Sequence, residues 1–166
     1  MIYTIGFFAA RRFEASSVIP YVASQCAGAL AASVVLRFLF PQSATLGATI
    51  PAGSTMQSFV LEMLLTALLM FVILSVSTGA REKGITAGIA VGAVIVLEAL
   101  FAGPICGASV NPARSLAPAL VSGHFSGLWI YLVAPVLGGA LGVIGCRCVR
   151  KRGCCSGADT ADISPA

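Results

Sequence analysis

The chain has 166 residues, of which 58% are apolar and 10% charged, with a mean hydropathy of +0.97. Soluble domains carry about 25% charged residues, so this composition excludes an ordinary soluble globule, a disordered chain and a collagen-like one, and leaves a polytopic membrane protein. The net charge of +4 is weighted toward Arg147, Arg150, Lys151 and Arg152; directly after an apolar stretch these suit anionic lipid headgroups better than nucleic acid.

Residues 1–13 are too short to cross a bilayer, and Arg11 and Arg12 follow the apolar opening rather than precede it, the reverse of a cleavable signal. Four stretches approach the roughly 20 apolar residues that a spanning helix needs: 20–40, 54–77, 85–101 and 128–145. Between the last two, residues 102–125 are too rich in glycine, proline and polar residues for a simple span, yet contain an apolar run at 116–121. A re-entrant loop carrying a short helix is expected there, tolerable at membrane depth only inside protein or beside water. Basic residues alternate between connections: Arg11 and Arg12, then Arg81 and Lys83, then the tail, with no charge at 41–53. The asymmetry predicts that both ends of the chain and the Arg81–Lys83 connection are cytoplasmic. Arg37, near the opposite boundary, is expected to snorkel. A faint internal echo, a short segment followed by a span with small residues at Gly28 and Ala32 or at Gly138 and Gly142, has the logic of an inverted repeat. Of six cysteines, Cys26 lies in an apolar run and Cys146, Cys148, Cys154 and Cys155 crowd the basic tail, a pattern that argues against disulfides in a reducing compartment. A soft-metal site in that tail would lack any histidine, and no metal or cofactor is expected.

The polar residues inside the apolar stretches carry the functional reading. Glu62 and Glu98 fall within spans, where a bare carboxylate costs at least a few kcal/mol. Either each accepts backbone amides of a re-entrant segment, or each joins helices. Asn111 followed by Pro112 predicts a helix start, with asparagine at the cap and proline at the first helical position. The positive end of that helix and the asparagine amide would then meet a passing solute. Gly103 and Gly107 are expected to allow an extended approach with exposed carbonyls. Arg114, one turn into the helix, reads as a pore-lining donor that repels protons and cations, with a salt bridge to Glu62 or Glu98 as the plainer alternative. Ser109 and Ser115 read as local hydrogen-bonding residues, His124 as interfacial, and Trp129 and Tyr131 as aromatics of the membrane belt. No polar catalytic pair is visible, so an enzyme is not expected.

The stretch GPICGASVNPARSLAPAL resembles the second signature loop of the aquaporin, or major intrinsic protein, family. FVLEMLLTALLMFVILSVST is similar to that family's fourth span with its buried glutamate, GITAGIAVGAVIVLEALFAGP to the fifth and WIYLVAPVLGGALG to the sixth. TIGFFAARRF and VIPYVASQCAGALAAS are similar to the end of the first re-entrant helix and the third span. The resemblance covers residues 4 to about 147 and implies a channel domain at 1–147 and a cytoplasmic tail at 148–166. The implied fold is an all-α membrane protein, a partial aquaporin-like inverted-repeat bundle with four full spans and a re-entrant half-helix. Thr4 stands where the first signature loop ends, so the chain is expected to be truncated at its N-terminus, without the first two spans and the first Asn-Pro-Ala.

Carried over residue by residue, Asn111, Pro112 and Ala113 look like the signature triplet and Arg114 like the filter arginine, with Ala99 and Ala108 as small filter positions. Glu62, Glu98, Gly103 and Gly107 are their structural support. Ser115 departs from the aspartate of glycerol facilitators, Tyr131 is water-channel-like, and Cys106 is expected near the pore as a mercurial target. The implied function is a passive channel for water and small neutral solutes such as glycerol, urea and metalloid acids. It would be a multi-pass protein in the lipid of the cell membrane, a homotetramer where the pore is whole. The alternative is a non-conducting membrane fragment with a structural or assembly role.

Overall fold

The computed structural model describes residues 2–9, 13–78 and 85–149. Among them every regular element is a helix: α1 (Ile2–Ala9), α2 (Ala15–Leu39), α3 (Thr55–Thr78), α4 (Ile85–Cys106), α5 (Pro112–Ser122) and α6 (Leu128–Val149). α2, α3, α4 and α6 have 25, 24, 22 and 22 residues, about 33–38 Å at 1.5 Å per residue and long enough for the hydrocarbon core. All four are apolar enough to cross a membrane. α1 and α5, with 8 and 11 residues, cannot. Arg11, Arg12, Arg81, Lys83 and the tail beyond Val149, which carried the reading of orientation, lie outside the described residues.

The expected spans are recovered to within about five residues. The largest differences are at the start of α2, which begins at Ala15 rather than 20, and at the end of α4, which runs past Gly103 and Pro104 to Cys106. Pro104 removes its own amide from the ladder and crowds the carbonyl four residues back, yet the amide of Gly107 still donates to the Gly103 carbonyl at 2.9 Å. The helix stops where Gly107 turns left-handed, φ +88°, as glycine commonly does just beyond a helix end.

The core lies along α3. It packs most extensively on α6 and next on α4, while α5 lies against α2 and α6. Gly138 and Gly142 make the α3–α6 approach possible: a Cβ at 138 would overlap the Met63 carbonyl, and one at 142 would crowd the Ala67 carbonyl and the Met70 side chain. Met70, Leu74, Val143 and Cys146 fill one end of this seam, and Ile130, Tyr131 and Ala134 the other. Leu65, Leu69, Ile73, Ala102, Cys106 and Val110 join α3 to α4 and to the segment after it. Phe7 of α1 packs on two of these clusters. The outward faces present large apolar side chains such as Ile19, Phe38, Ile89 and Leu100, the surface expected of a helix solvated by lipid. α1 and α5 each pack on both α2 and α6. This fits the echo in the sequence, although the glycines differ in use: Gly138 and Gly142 are closed against a neighbour, while Gly28 has open space beside it.

Gly138→Val places a branched side chain where only backbone fits. Overpacking of this kind costs about 1–3 kcal/mol, so the variant is expected to unfold at lower temperature in detergent. Gly88→Ala, with nothing within 4 Å of the new carbon, is expected to match or exceed the parent. Equal unfolding temperatures for Gly138→Val and the parent would contradict the packing assigned to α3 and α6.

Candidate functional site

Between α4 and α5 the chain must turn without helical hydrogen bonds. Besides Gly107, Ala108 and Val110 have positive φ, +40° and +44°, a conformation that costs an L-residue roughly 1–2 kcal/mol each. The restraint comes from behind. The amides of Ser109 and Val110 donate to Oε1 and Oε2 of Glu62 at 2.7 and 2.9 Å. Glu62 is fully buried on α3, and both of its oxygens are taken by groups with no other outlet. At the other end of the turn, the Tyr131 hydroxyl donates to the Cys106 carbonyl at 2.6 Å. The segment is therefore pinned to α3 and α6 by charge-assisted and short neutral hydrogen bonds, which strengthen as the local dielectric falls.

This turn delivers Asn111 to the start of α5. Its side-chain oxygen accepts from the Ala113 amide at 3.2 Å, with Pro112 at the first helical position. Because Oδ1 caps the helix, the two Nδ2 protons are left facing away from it. A buried chain of hydroxyls braces the same point. Thr49 donates to Ser115 at 2.7 Å, the hydroxyls of Ser115 and Ser109 meet at 2.5 Å, and Ser109 donates to the Asn111 carbonyl at 3.0 Å. With the Ser109 proton on that carbonyl, Ser115 must be the donor to Ser109, so the chain runs in one direction from residue 49 to residue 111. Ser109 and Ser115 thus act as local hydrogen-bonding residues, as expected from the sequence.

A cavity of about 470 Å³ opens between α2 and the first turns of α5, with Asn111, Ala113 and Arg114 on one wall and Gln25, Gly28, Ala29, Ala32 and Ser33 on the other. Leu36, Leu46 and Gly47 also line it. The Arg114 side chain makes no ion pair or hydrogen bond with a described residue, so no salt bridge joins it to Glu62 or Glu98, although its charge acts on Glu62 at longer range. Pro112 is buried beneath the cap.

Several expected site residues stand elsewhere. Ala99 is exposed on α4, and Ala108 packs against the α3–α4 core; neither borders the cavity. Gly103 lies within α4, so of the two glycines only Gly107 shapes the turn. Glu98 is 1% exposed, and neither of its oxygens has a hydrogen-bond partner among the described residues, so the amides expected for it are not seen there. Cys106 is buried in the core rather than at the pore, its thiol donating to the Ala102 carbonyl at 3.4 Å. Tyr131 is fully buried rather than interfacial, whereas Trp129 is exposed and stacks near Phe59, ring centres 5.6 Å apart. Among the described residues no group of three or more potential metal ligands comes together.

The sequence reading passed over Gln25, Ser33, Leu46 and Thr49. The first two had a visible signal: Gln25, Gly28, Ala29, Ala32, Ser33 and Leu36 recur at the helical spacing of three and four, a small and polar stripe within an apolar span. Leu46 and Thr49 lie in an irregular connection, where no periodicity could have marked them.

The family model described as Major intrinsic protein matches residues 2–145. Aquaporin NIP1-4 of Oryza sativa subsp. japonica is 46% identical over 151 residues, covering 90% of this chain and 55% of the rice protein. Nodulin-26 of Glycine max is 46% identical over 140 residues, covering 84% of this chain and 52% of that protein. The chain thus spans about half the length of these curated relatives. Among solved structures, the aquaglyceroporin from Plasmodium falciparum aligns with a TM-score of 0.74 over 87% of this chain and 67% of that one; at 23% identity it speaks to the fold alone.

Two outcomes follow from the site. Glu62→Ala leaves the Ser109 and Val110 amides buried without an acceptor, and the loss is expected to be about 1.5–3 kcal/mol per charged hydrogen bond. It should be read as faster hydrogen exchange at those two amides than in the parent, and unchanged exchange there would refute the anchoring role. Second, alkylation of the folded chain should modify exposed Cys148 and half-buried Cys26 well before Cys106, as followed by peptide mass spectrometry. Early modification of Cys106 would place it at an accessible surface after all.

Proposed function

The chain belongs to the major intrinsic protein family, and we propose that it forms the wall and filter of a passive channel for water and small neutral solutes. The observation that carries this reading is the donor pair at the head of α5: Asn111 with its oxygen committed to the cap, and Arg114 with no counter-ion among the described residues, both bordering one cavity. Such donors suit the oxygen of water or of a small polyol, urea or metalloid acid. Donors backed by a guanidinium and a positive helix end disfavour protons and metal cations. The opposite wall is small at Gly28, Ala29 and Ala32, which supports room for solutes larger than water. Flow through such a site is driven by the gradient alone.

The name of the rice relative, an aquaporin, supports the same class of cargo. The reading extends to a homotetramer in the cell membrane with a cytoplasmic C-terminus. The support for that orientation is the basic end of α6 at Arg147, followed in the sequence by Arg150, Lys151 and Arg152.

Stopped-flow light scattering on proteoliposomes tests the proposal. Water flux above that of empty vesicles is expected, together with loss of proton exclusion in Arg114→Ala, measured with an entrapped pH dye. Flux equal to empty vesicles, with insertion and folding shown, would overturn the reading for this chain.

A further inference from the structure

Arg37 lies in the last turn of α2, half-buried, and its two terminal nitrogens reach different parts of the chain. Nη1 donates to the Ser43 carbonyl at 3.1 Å and Nη2 to the Val121 carbonyl at 3.3 Å. Val121 is in the final turn of α5, where carbonyls lack helical partners and carry the negative end of the dipole. Ser43 opens the connection between α2 and α3. Snorkelling to solvent or lipid does not describe this residue: its planar fork is used to hold two carbonyls at once, a geometry that lysine lacks.

The connection it holds borders the cavity of Arg114. Downstream, the connection is tied by Thr49 to Ser115 and by the Ala52 amide to the Ile105 carbonyl at 3.0 Å. Between the ties the chain reverses through Leu46 and Gly47, φ +51° and +73°. Leu46 is thereby buried, its amide held by the Ser43 hydroxyl at 3.1 Å. Upstream of this reversal, the tie across to another helix is Arg37. We infer that Arg37 is a positioning residue for solute selection: by clamping Ser43 to the end of α5 it fixes Leu46 and Gly47 over the cavity and so sets the clearance beside Arg114. The clamp stands on the hydrogen bonds alone, while its effect on selection rests on the channel reading.

The test compares the parent with Arg37→Met, which keeps length and removes the donors, and Arg37→Lys, which keeps the charge but not the fork. Hydrogen exchange of the full chain in lipid nanodiscs reads the clamp without any need for conduction. In Arg37→Met, exchange at the Leu46 amide and in the last turn of α5 is expected to rise about tenfold, the scale of one charged hydrogen bond, with α3 and α6 unchanged. Arg37→Lys should recover only part of this. Unchanged exchange at Leu46, or a rise spread equally over α3 and α6, would overturn the clamp. In proteoliposomes, the ratio of glycerol to water permeability should shift in Arg37→Met and return partway in Arg37→Lys. Local loosening with an unchanged ratio would overturn the role in selection. A parent that conducts nothing would defeat the channel reading and the role in selection with it, leaving exchange to decide the clamp.

Discussion

A backbone amide away from water must find an acceptor within the protein, and two such amides, on Ser109 and Val110, are met by the single carboxylate of Glu62. The left-handed turn at Gly107–Val110 can persist because its strain is opposed by these two bonds at 2.7 and 2.9 Å. The start of α5 depends on that turn, and the placement of Asn111 and Arg114 depends on the start of α5. Glu62 can serve only if α3 is itself immobile. That condition is supplied by Gly138 and Gly142, which let α6 close onto the α3 backbone, and by the Thr66 hydroxyl, which donates to the Glu62 carbonyl at 2.8 Å. Packing of two spanning helices is thus converted, through one carboxylate, into the position of a helix end that crosses nothing.

The same point is held from other directions by different chemistry. Tyr131 fixes the end of α4 from α6, and the hydroxyl chain from Thr49 to Asn111 fixes the cap from the connection between α2 and α3. None of these ties reaches the cavity wall at α2, which buries only Ser33. The donor side of the cavity is therefore braced from several sides, and the α2 side is held by the Gln25 amide, which donates to the Thr4 hydroxyl at 3.1 Å, by the bonds of Arg37 and by the contact with α5.

The sequence was most legible where physical chemistry leaves few options. Long apolar stretches had to be spans, Asn-Pro had to begin a helix, and a carboxylate among apolar residues had to find donors; Glu62 did. It was least legible where a residue's direction depends on its neighbours. Trp129 and Tyr131 look alike as adjacent aromatics near a helix start, but two positions along a helix differ by about 200°, so one faces outward and the other the core. Gly103 is expected in an extended approach, yet it is helical, because the left-handed turn waits for Gly107. That delay carries Cys106 into the core instead of the pore. Gln25, Ser33 and Arg37 fall on one side of α2 but were overshadowed by the apolar residues between them, and Arg37 was read by its charge rather than by the five donors that charge carries.

The carboxylate that shapes the site does not neutralise it. Glu62 is spent on two amides behind the turn and is fully buried, so its negative charge is already engaged by the partial positive charges of those N–H groups. No described acid lies within ion-pairing distance of the Arg114 guanidinium, although its charge acts on Glu62 at longer range. On the proposed reading, this lack of direct pairing lets one short segment be firmly anchored while the guanidinium stays available to a solute. An acid in direct contact with Arg114 would, on that reading, occupy the donors that meet the solute. The anchoring carboxylate is spent on the amides of residues 109 and 110, ahead of the helix start, and Arg114 follows within the first turn of α5, with the left-handed residues 107, 108 and 110 providing the change of direction between α4 and that start.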